Sequence, residues 1–155
     1  MRYAEITRQI FVGPCPSVPE DFLSLKEQSV TAILSLLTPE DSQELEMARE
    51  ETHASTAGLA YRNMPVIDFD DLDLKTKLPS CVEVLNSLLE AGHTVYVHCT
   101  AGVTRSPTVV AAYLHWRRHW PLDEALEQLQ ARRRCYPRGD LIEIAQPPQL
   151  PEESR

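Results

Sequence analysis

An α/β fold is predicted: one domain with a central, mainly parallel, twisted sheet of about five strands flanked by helices. Three observations predict it. Short β-branched runs alternate with amphipathic helical stretches along the whole chain. The run Thr94–His98 (TVYVH) passes through a glycine-containing loop into a segment of helical character. The 155 residues are 43% hydrophobic, enough for one sizeable core and the usual size of one domain.

The elements follow in order. Tyr3–Gly13 (YAEITRQIFVG) has the alternation and branching of one or two short strands. Ser17-Val18-Pro19-Glu20 reads as a helix start, with Ser17 as cap, Glu20 completing a capping box and Pro19 in the first turn. That helix continues through DFLSLKEQ. Val30–Leu36 (VTAILSL) is a buried strand. Pro39 opens a second helix whose early acids suit its positive end, and Gly58 stops it. Leu59–Ile67 (LAYRNMPVI) is a strand, and Asp68–Asp73 an acidic loop. Leu78–Gly92 (LPSCVEVLNSLLEAG) is a helix with a glycine stop. Thr94–His98 is a central strand. Ser106 begins a helix with Pro107 in its first turn, and Leu122–Arg134 is a further amphipathic helix. The domain is expected over 1–145. Residues 146–155 (QPPQLPEESR) are expected to be a disordered proline-rich tail.

Composition excludes several classes. The formal charge of −8 argues against a nucleic-acid binder, which would show a basic face. No apolar run approaches the roughly 18 residues of a membrane span, and the N-terminus lacks a signal-peptide core. A soluble, cytoplasmic, reduced monomer is expected. Cys15, Cys81, Cys99 and Cys135 show no zinc-ligand spacing, and His53, His93, His115 and His119 show none either. No metal or cofactor is expected. Trp116 and Trp120 read as packing residues, and Arg132–Arg134 as a solvated helix end.

The chemistry lies in His98-Cys99-Thr100-Ala101-Gly102-Val103-Thr104-Arg105-Ser106-Pro107. Five residues separate Cys99 from Arg105. A loop of that length can curl so that its N–H groups converge on one anion. Gly102 removes the Cβ that would obstruct a positive-φ turn. The following helix adds its positive end, and Arg105 can grip two phosphate oxygens with its planar fork. The same field favours the thiolate form of Cys99, which can attack phosphorus and form a phosphocysteine. His98 is expected to order the loop, and Ser106 to stabilise the departing thiolate. A leaving-group proton must come from a carboxylic acid. Asp68, Asp70, Asp71 and Asp73 are all candidates, and chemistry alone does not choose among them.

The string HC-x-x-G-x-x-R-S-P resembles the signature loop of the cysteine-based protein tyrosine phosphatases, dual-specificity branch, and the resemblance extends to about Ala145. It implies Cys99 as nucleophile, Arg105 as phosphate ligand and the amides of Thr100, Ala101, Gly102, Val103, Thr104 and Arg105 as the phosphate cradle. It also implies Asp68 as general acid, about thirty residues before Cys99 and six before Leu74, with Asp70 second. A shallow pocket acting on phosphotyrosine and phosphoserine/threonine of proteins follows from it.

A second resemblance, to plant glucan phosphatases, rests on Asp68-Phe69-Asp70, Leu74–Pro79 and Arg133–Pro137. It makes phosphorylated starch or glycogen-like polymer the alternative substrate and Phe69 and Tyr136 a candidate substrate rim. Thr104, where that subgroup carries glycine, departs from it. A phosphate-binding adaptor without activity and a rhodanese-like sulfur carrier are less favoured readings. Cys15, Cys81 and Cys135 are each candidates for a disulfide with oxidised Cys99.

Overall fold

A computed structural model describes residues 1–41 and 44–148. Its described elements, in order, are β1 (Ala4–Thr7), β2 (Ile10–Gly13), α1 (Pro19–Glu27), β3 (Ala32–Ser35), α2 (Glu44–Thr56), β4 (Ala60–Asn63), α3 (Asp71–Glu90), β5 (Val95–His98), α4 (Arg105–Trp116), α5 (Leu122–Arg132) and α6 (Gly139–Ile144). The strands form one five-stranded sheet in the order β1-β2-β5-β3-β4. Only β1–β2 is antiparallel; β2–β5, β5–β3 and β3–β4 are parallel.

Both faces of the sheet are covered, which explains why the central strands are apolar on both sides. Val12, Leu34, Val95 and Val97 face one core, shared with α3, α4, α5 and α6. Their neighbours Phe11, Ile33 and Tyr96 face a second core under α1 and α2, with Phe22, Leu25 and Ala54. This is the period of two expected of strands. Trp116 and Trp120 pack half-buried against the larger core.

The register fixes where chemistry can occur. Gly13 pairs with His98 and His98 pairs with Ser35, so three strands end in one row. Ligands of such sheets bind beyond this edge, and Cys99 is the next residue.

Several local readings are corrected. The N-cap of α1 is Val18. Asp21, not Glu20, turns back, its carboxylate accepting from the N–H groups of Ser17 (2.9 Å) and Val18 (3.3 Å). Pro39 does not open a helix: Pro39–Asp41 form a turn, closed by Asp41 N–H on the Thr38 carbonyl at 3.0 Å. β4 stops at Asn63, ahead of Pro65, which has no N–H for a ladder. α3 begins at Asp71, seven residues before the expected start, because Asp70 caps it by accepting from Asp73 N–H at 2.9 Å. Pro79 lies inside that helix rather than at its head. The short helix α6 was not expected. Of the proline-rich tail, 149–155 lie outside the described residues.

Gly102 has φ +69°, and a Cβ there would stand 2.5 Å from the Gly13 backbone. Gly92 shares a positive φ (+92°) but has open space around it. Gly102→Ala should therefore cost about 1–3 kcal/mol, clearly more than Gly92→Ala, when both are compared by urea unfolding. Equal costs would show that backbone conformation alone matters at Gly102.

Candidate active site

Cys99 leaves the end of β5 and is buried, with its Sγ 3.3 Å from Ser106 Oγ in the first turn of α4. The intervening residues curl between the sheet edge and that helix. Their carbonyls are bound from outside: Cys15 N–H donates to Thr100 O at 3.0 Å and Tyr136 N–H to Val103 O at 2.7 Å. In a planar trans peptide the following N–H points the opposite way. Outward carbonyls therefore aim the Ala101 and Thr104 amides into the loop, the arrangement of an anion nest.

Arg105 is 2% exposed and is held from three directions. Nη1 donates to Asp41 Oδ2 at 2.7 Å and to Val66 O at 2.8 Å. Nη2 donates to Asp41 Oδ1 at 2.9 Å and Thr100 Oγ1 at 3.1 Å. Asp41 thus grips one edge of the guanidinium bidentately. The fifth donor, Nε–H, is buried and has no hydrogen-bond partner among the described residues. It lies 3.4 Å from Asp68 Oδ1, within ion-pair distance. The Arg105 fork is oriented, and its Nε edge is the one left for an oxyanion.

The four acids of the 68–73 segment separate by geometry. Asp70 is the N-cap of α3. Asp71 pairs with Arg138 through both oxygens, at 2.8 and 3.0 Å. Asp73 accepts from Ile67 N–H at 2.8 Å and Lys77 Nζ at 3.0 Å. Asp68 alone of the four stands at Arg105, with its side chain 34% exposed. A carboxyl there can exchange a proton with a group bound in the cleft.

His98 is fully buried behind the loop. Its Nδ1 lies 2.9 Å from Cys99 O, and its Nε2 lies 2.9 Å from Glu50 Oε1. Burial raises the Glu50 carboxyl, but the His98 charge and hydrogen bonds from His98, Tyr61 and Cys15 outweigh it and leave it below the usual carboxylate range. Cys15 Sγ donates to Glu50 Oε2 at 3.3 Å. Cys15, Glu50 and His98 bring ligand-type atoms within 4.8 Å of one another; their hydrogen bonds join them as a chain that braces the loop. Burial pushes the Cys81 thiol up to about 12 and raises Cys135 as well.

In front of the loop is a cavity of about 220 Å³, lined by Asp68, Phe69, Thr104, Arg105, Tyr136 and Arg138 among others. Phe69 is 98% exposed and Tyr136 61% exposed. Neither ring packs into the core. Phe69 also has φ +60°, a conformation that bulky side chains rarely adopt.

Sequence reasoning missed Asp41, Val66 and Glu50. Asp41 reads in sequence as one of several acids suiting a helix N-terminus, and Glu50 lies in a helix rich in acids. Nothing local marks either.

A family model described as "Dual specificity phosphatase, catalytic domain" matches residues 10–142. The chain is 37% identical over 139 residues to the chloroplastic phosphoglucan phosphatase LSF1 of Arabidopsis thaliana, covering 88% of this chain and 24% of that protein. It is 36% identical over 89 residues to rat dual specificity protein phosphatase 5, covering 57% of this chain and 23% of that protein. Its fold matches the crystal structure of PTPMT1 with a TM-score of 0.71, 24% identity, and 92% and 90% of the two chains covered. The chain belongs to the dual-specificity phosphatase catalytic-domain family. It spans about a quarter of the length of both curated relatives. Among the described residues no helix is long and apolar enough to cross a membrane.

Burial would raise the Asp41 carboxyl. Hydrogen bonds from Arg105 and from Thr38, and the Arg105 charge, outweigh burial and hold it at about 2. The folded state thus binds this proton more weakly than the unfolded chain. The stabilisation is complete above the ordinary carboxylate value and is lost as pH falls from about 4 towards 2. Across that window Asp41→Asn should lose less stability than the wild type, measured by urea unfolding at each pH. Parallel curves would show that the Asp41–Arg105 pair does not form.

Proposed function

We propose that this domain hydrolyses phosphate monoesters through a phosphocysteine on Cys99. The observation that carries the reading is that one buried cation, Arg105, interacts electrostatically with both the Cys99 sulfur and the Asp68 carboxyl while its Nε–H has no hydrogen-bond partner among the described residues. In this reading the amides of Thr100, Ala101, Gly102, Val103, Thr104 and Arg105 and the Nε edge of Arg105 hold the phosphoryl oxygens. The Cys99 thiolate attacks phosphorus while Asp68 gives its proton to the leaving oxygen. Asp68, now a carboxylate, takes a proton from the water that attacks the phosphocysteine. Ser106, 3.3 Å from Sγ, donates to the thiolate as it departs. His98 and Glu50 keep the loop in register from behind. A nucleophilic thiol needs reducing surroundings, which supports an intracellular setting.

The substrate proposed first is phosphotyrosine and phosphoserine/threonine of proteins, for which the open cleft and the likeness to a dual specificity protein phosphatase speak. A second reading, a phosphorylated glucan, is favoured by a specific observation. Phe69 and Tyr136 stand exposed on the same cavity as Arg105, where aromatic faces can stack on sugar rings. The likeness to a phosphoglucan phosphatase over most of this chain supports it too.

One set of rates tests both levels. Wild type and Asp68→Asn are assayed on a phosphotyrosine peptide, a phosphoserine/threonine peptide and phosphorylated amylopectin. Asp68→Asn should slow the alkyl esters by about 10²–10⁴-fold and the aryl ester less, because a phenol leaves more easily without a proton. A wild type faster on amylopectin selects the glucan reading. An unchanged alkyl-ester rate in Asp68→Asn would remove Asp68 from the mechanism, and no turnover of any substrate would overturn the proposal.

A further inference from the structure

Arg133 follows the last turn of α5, in a run of three arginines that reads in sequence as a solvated helix end. The structure gives it other work. Its Nε donates to Gly102 O at 2.8 Å, Nη2 to Ala101 O at 2.7 Å and Nη1 to Arg2 O at 2.7 Å. One half-buried guanidinium therefore binds two successive carbonyls at the back of the loop. They are the two that the backbone donors Cys15 N–H and Tyr136 N–H leave uncovered between Thr100 and Val103.

We propose that Arg133 is a positioning residue of the phosphate loop: by holding the Ala101 and Gly102 carbonyls outward, it keeps the Gly102 and Val103 amides aimed at the bound phosphoryl group. The proposal rests on the reading of this loop as a phosphate site. The physical reason is peptide planarity, because a carbonyl fixed outward fixes the next N–H inward. These are the peptides most able to turn over, since Gly102 has φ +69° and no side chain to resist rotation. A flipped Ala101–Gly102 peptide would point an oxygen at an anion in place of a donor. Arg133 disfavours that flip without touching the substrate. The two bonds come from separate nitrogens of a planar fork at fixed spacing; a lysine keeps the charge but brings all its donors to one nitrogen with no such fixed geometry.

The test compares wild type, Arg133→Ala and Arg133→Lys in three measurements. These are kcat/KM on p-nitrophenyl phosphate, inhibition by vanadate as a probe of the oxyanion site, and alkylation of Cys99 by iodoacetamide. In Arg133→Lys, kcat/KM and vanadate affinity should fall together by about 10- to 100-fold, at or below the roughly 10²–10³-fold cost of deleting an oxyanion donor outright. Alkylation, run at a pH above the ordinary thiol range so that Cys99 is thiolate in every variant, should stay within about twofold, because a neutral reagent needs no amide cradle. Arg133→Ala should lose as much or more. If Arg133→Ala fails to fold, Arg133→Lys decides alone. Full activity in Arg133→Lys would show that charge, not carbonyl positioning, is the residue's contribution, and the proposal would be overturned. A wild type that neither turns over p-nitrophenyl phosphate nor binds vanadate would instead remove the phosphatase reading itself.

Discussion

The site depends on how one buried cation is held. Arg105 has five N–H donors, and four are taken by groups from three different loops: Asp41 after β3, Val66 after β4 and Thr100 after β5. A buried guanidinium is costly unless its donors are paired. The bidentate Asp41 carboxylate offsets most of that cost, and the carboxylate is itself held by the Thr38 N–H at 2.8 Å and hydroxyl at 3.0 Å. The ion pair therefore ties the three loops beyond the sheet edge into one rim. Because both oxygens of Asp41 occupy the same edge of the fork, the opposite edge is fixed in direction. Rim and donor are set by a single interaction.

The rest of the loop follows the same logic on its outer side. Carbonyls from Cys99 to Val103 are met by His98, Cys15, Arg133 and Tyr136, which come from the sheet, the loop after β2 and the segment after α5. Polar groups that would otherwise compete for an anion are satisfied elsewhere, so the inward face is left with donors. On the proposed reading of the loop, this is how a chain of net charge −8 builds an anion site. The field that matters is local, made of aimed amides and one arginine, and two acids near the cleft, Asp71 and Asp140, are tied in place by Arg138.

Much of this was legible in the sequence where the signal is local. The α/β class, the mainly parallel sheet and the strand–loop–helix around Cys99 follow from periodicity and from a ten-residue string whose members act on one another at short range. The four acids weighed for proton transfer, Asp68, Asp70, Asp71 and Asp73, needed a resemblance to separate in sequence, and three-dimensional placement sends Asp70 to a helix cap, pairs Asp71 with Arg138 and Asp73 with Lys77, and leaves Asp68 at Arg105. The partners that brace the site were illegible because the contacts span 64 residues for Asp41–Arg105, 48 for Glu50–His98 and 31 for Arg133–Gly102. Each residue is also an ordinary member of its segment, an acid among acids or an arginine among arginines. The early start of α3 is hidden for a different reason: its first turn is built from the acids of a segment that reads as a loop, and the cap that extends it is Asp70.

The central claim is that the loop exists to carry a phosphoryl group on one sulfur. The most direct measurement is acid quenching of the domain during turnover of p-nitrophenyl phosphate, followed by proteolysis and mass spectrometry of the peptide that contains Cys99. A phosphoryl adduct on Cys99, absent when substrate is withheld and absent in Cys99→Ser, is the predicted result. Turnover that proceeds in Cys99→Ser, or an adduct on any other residue, would contradict the account.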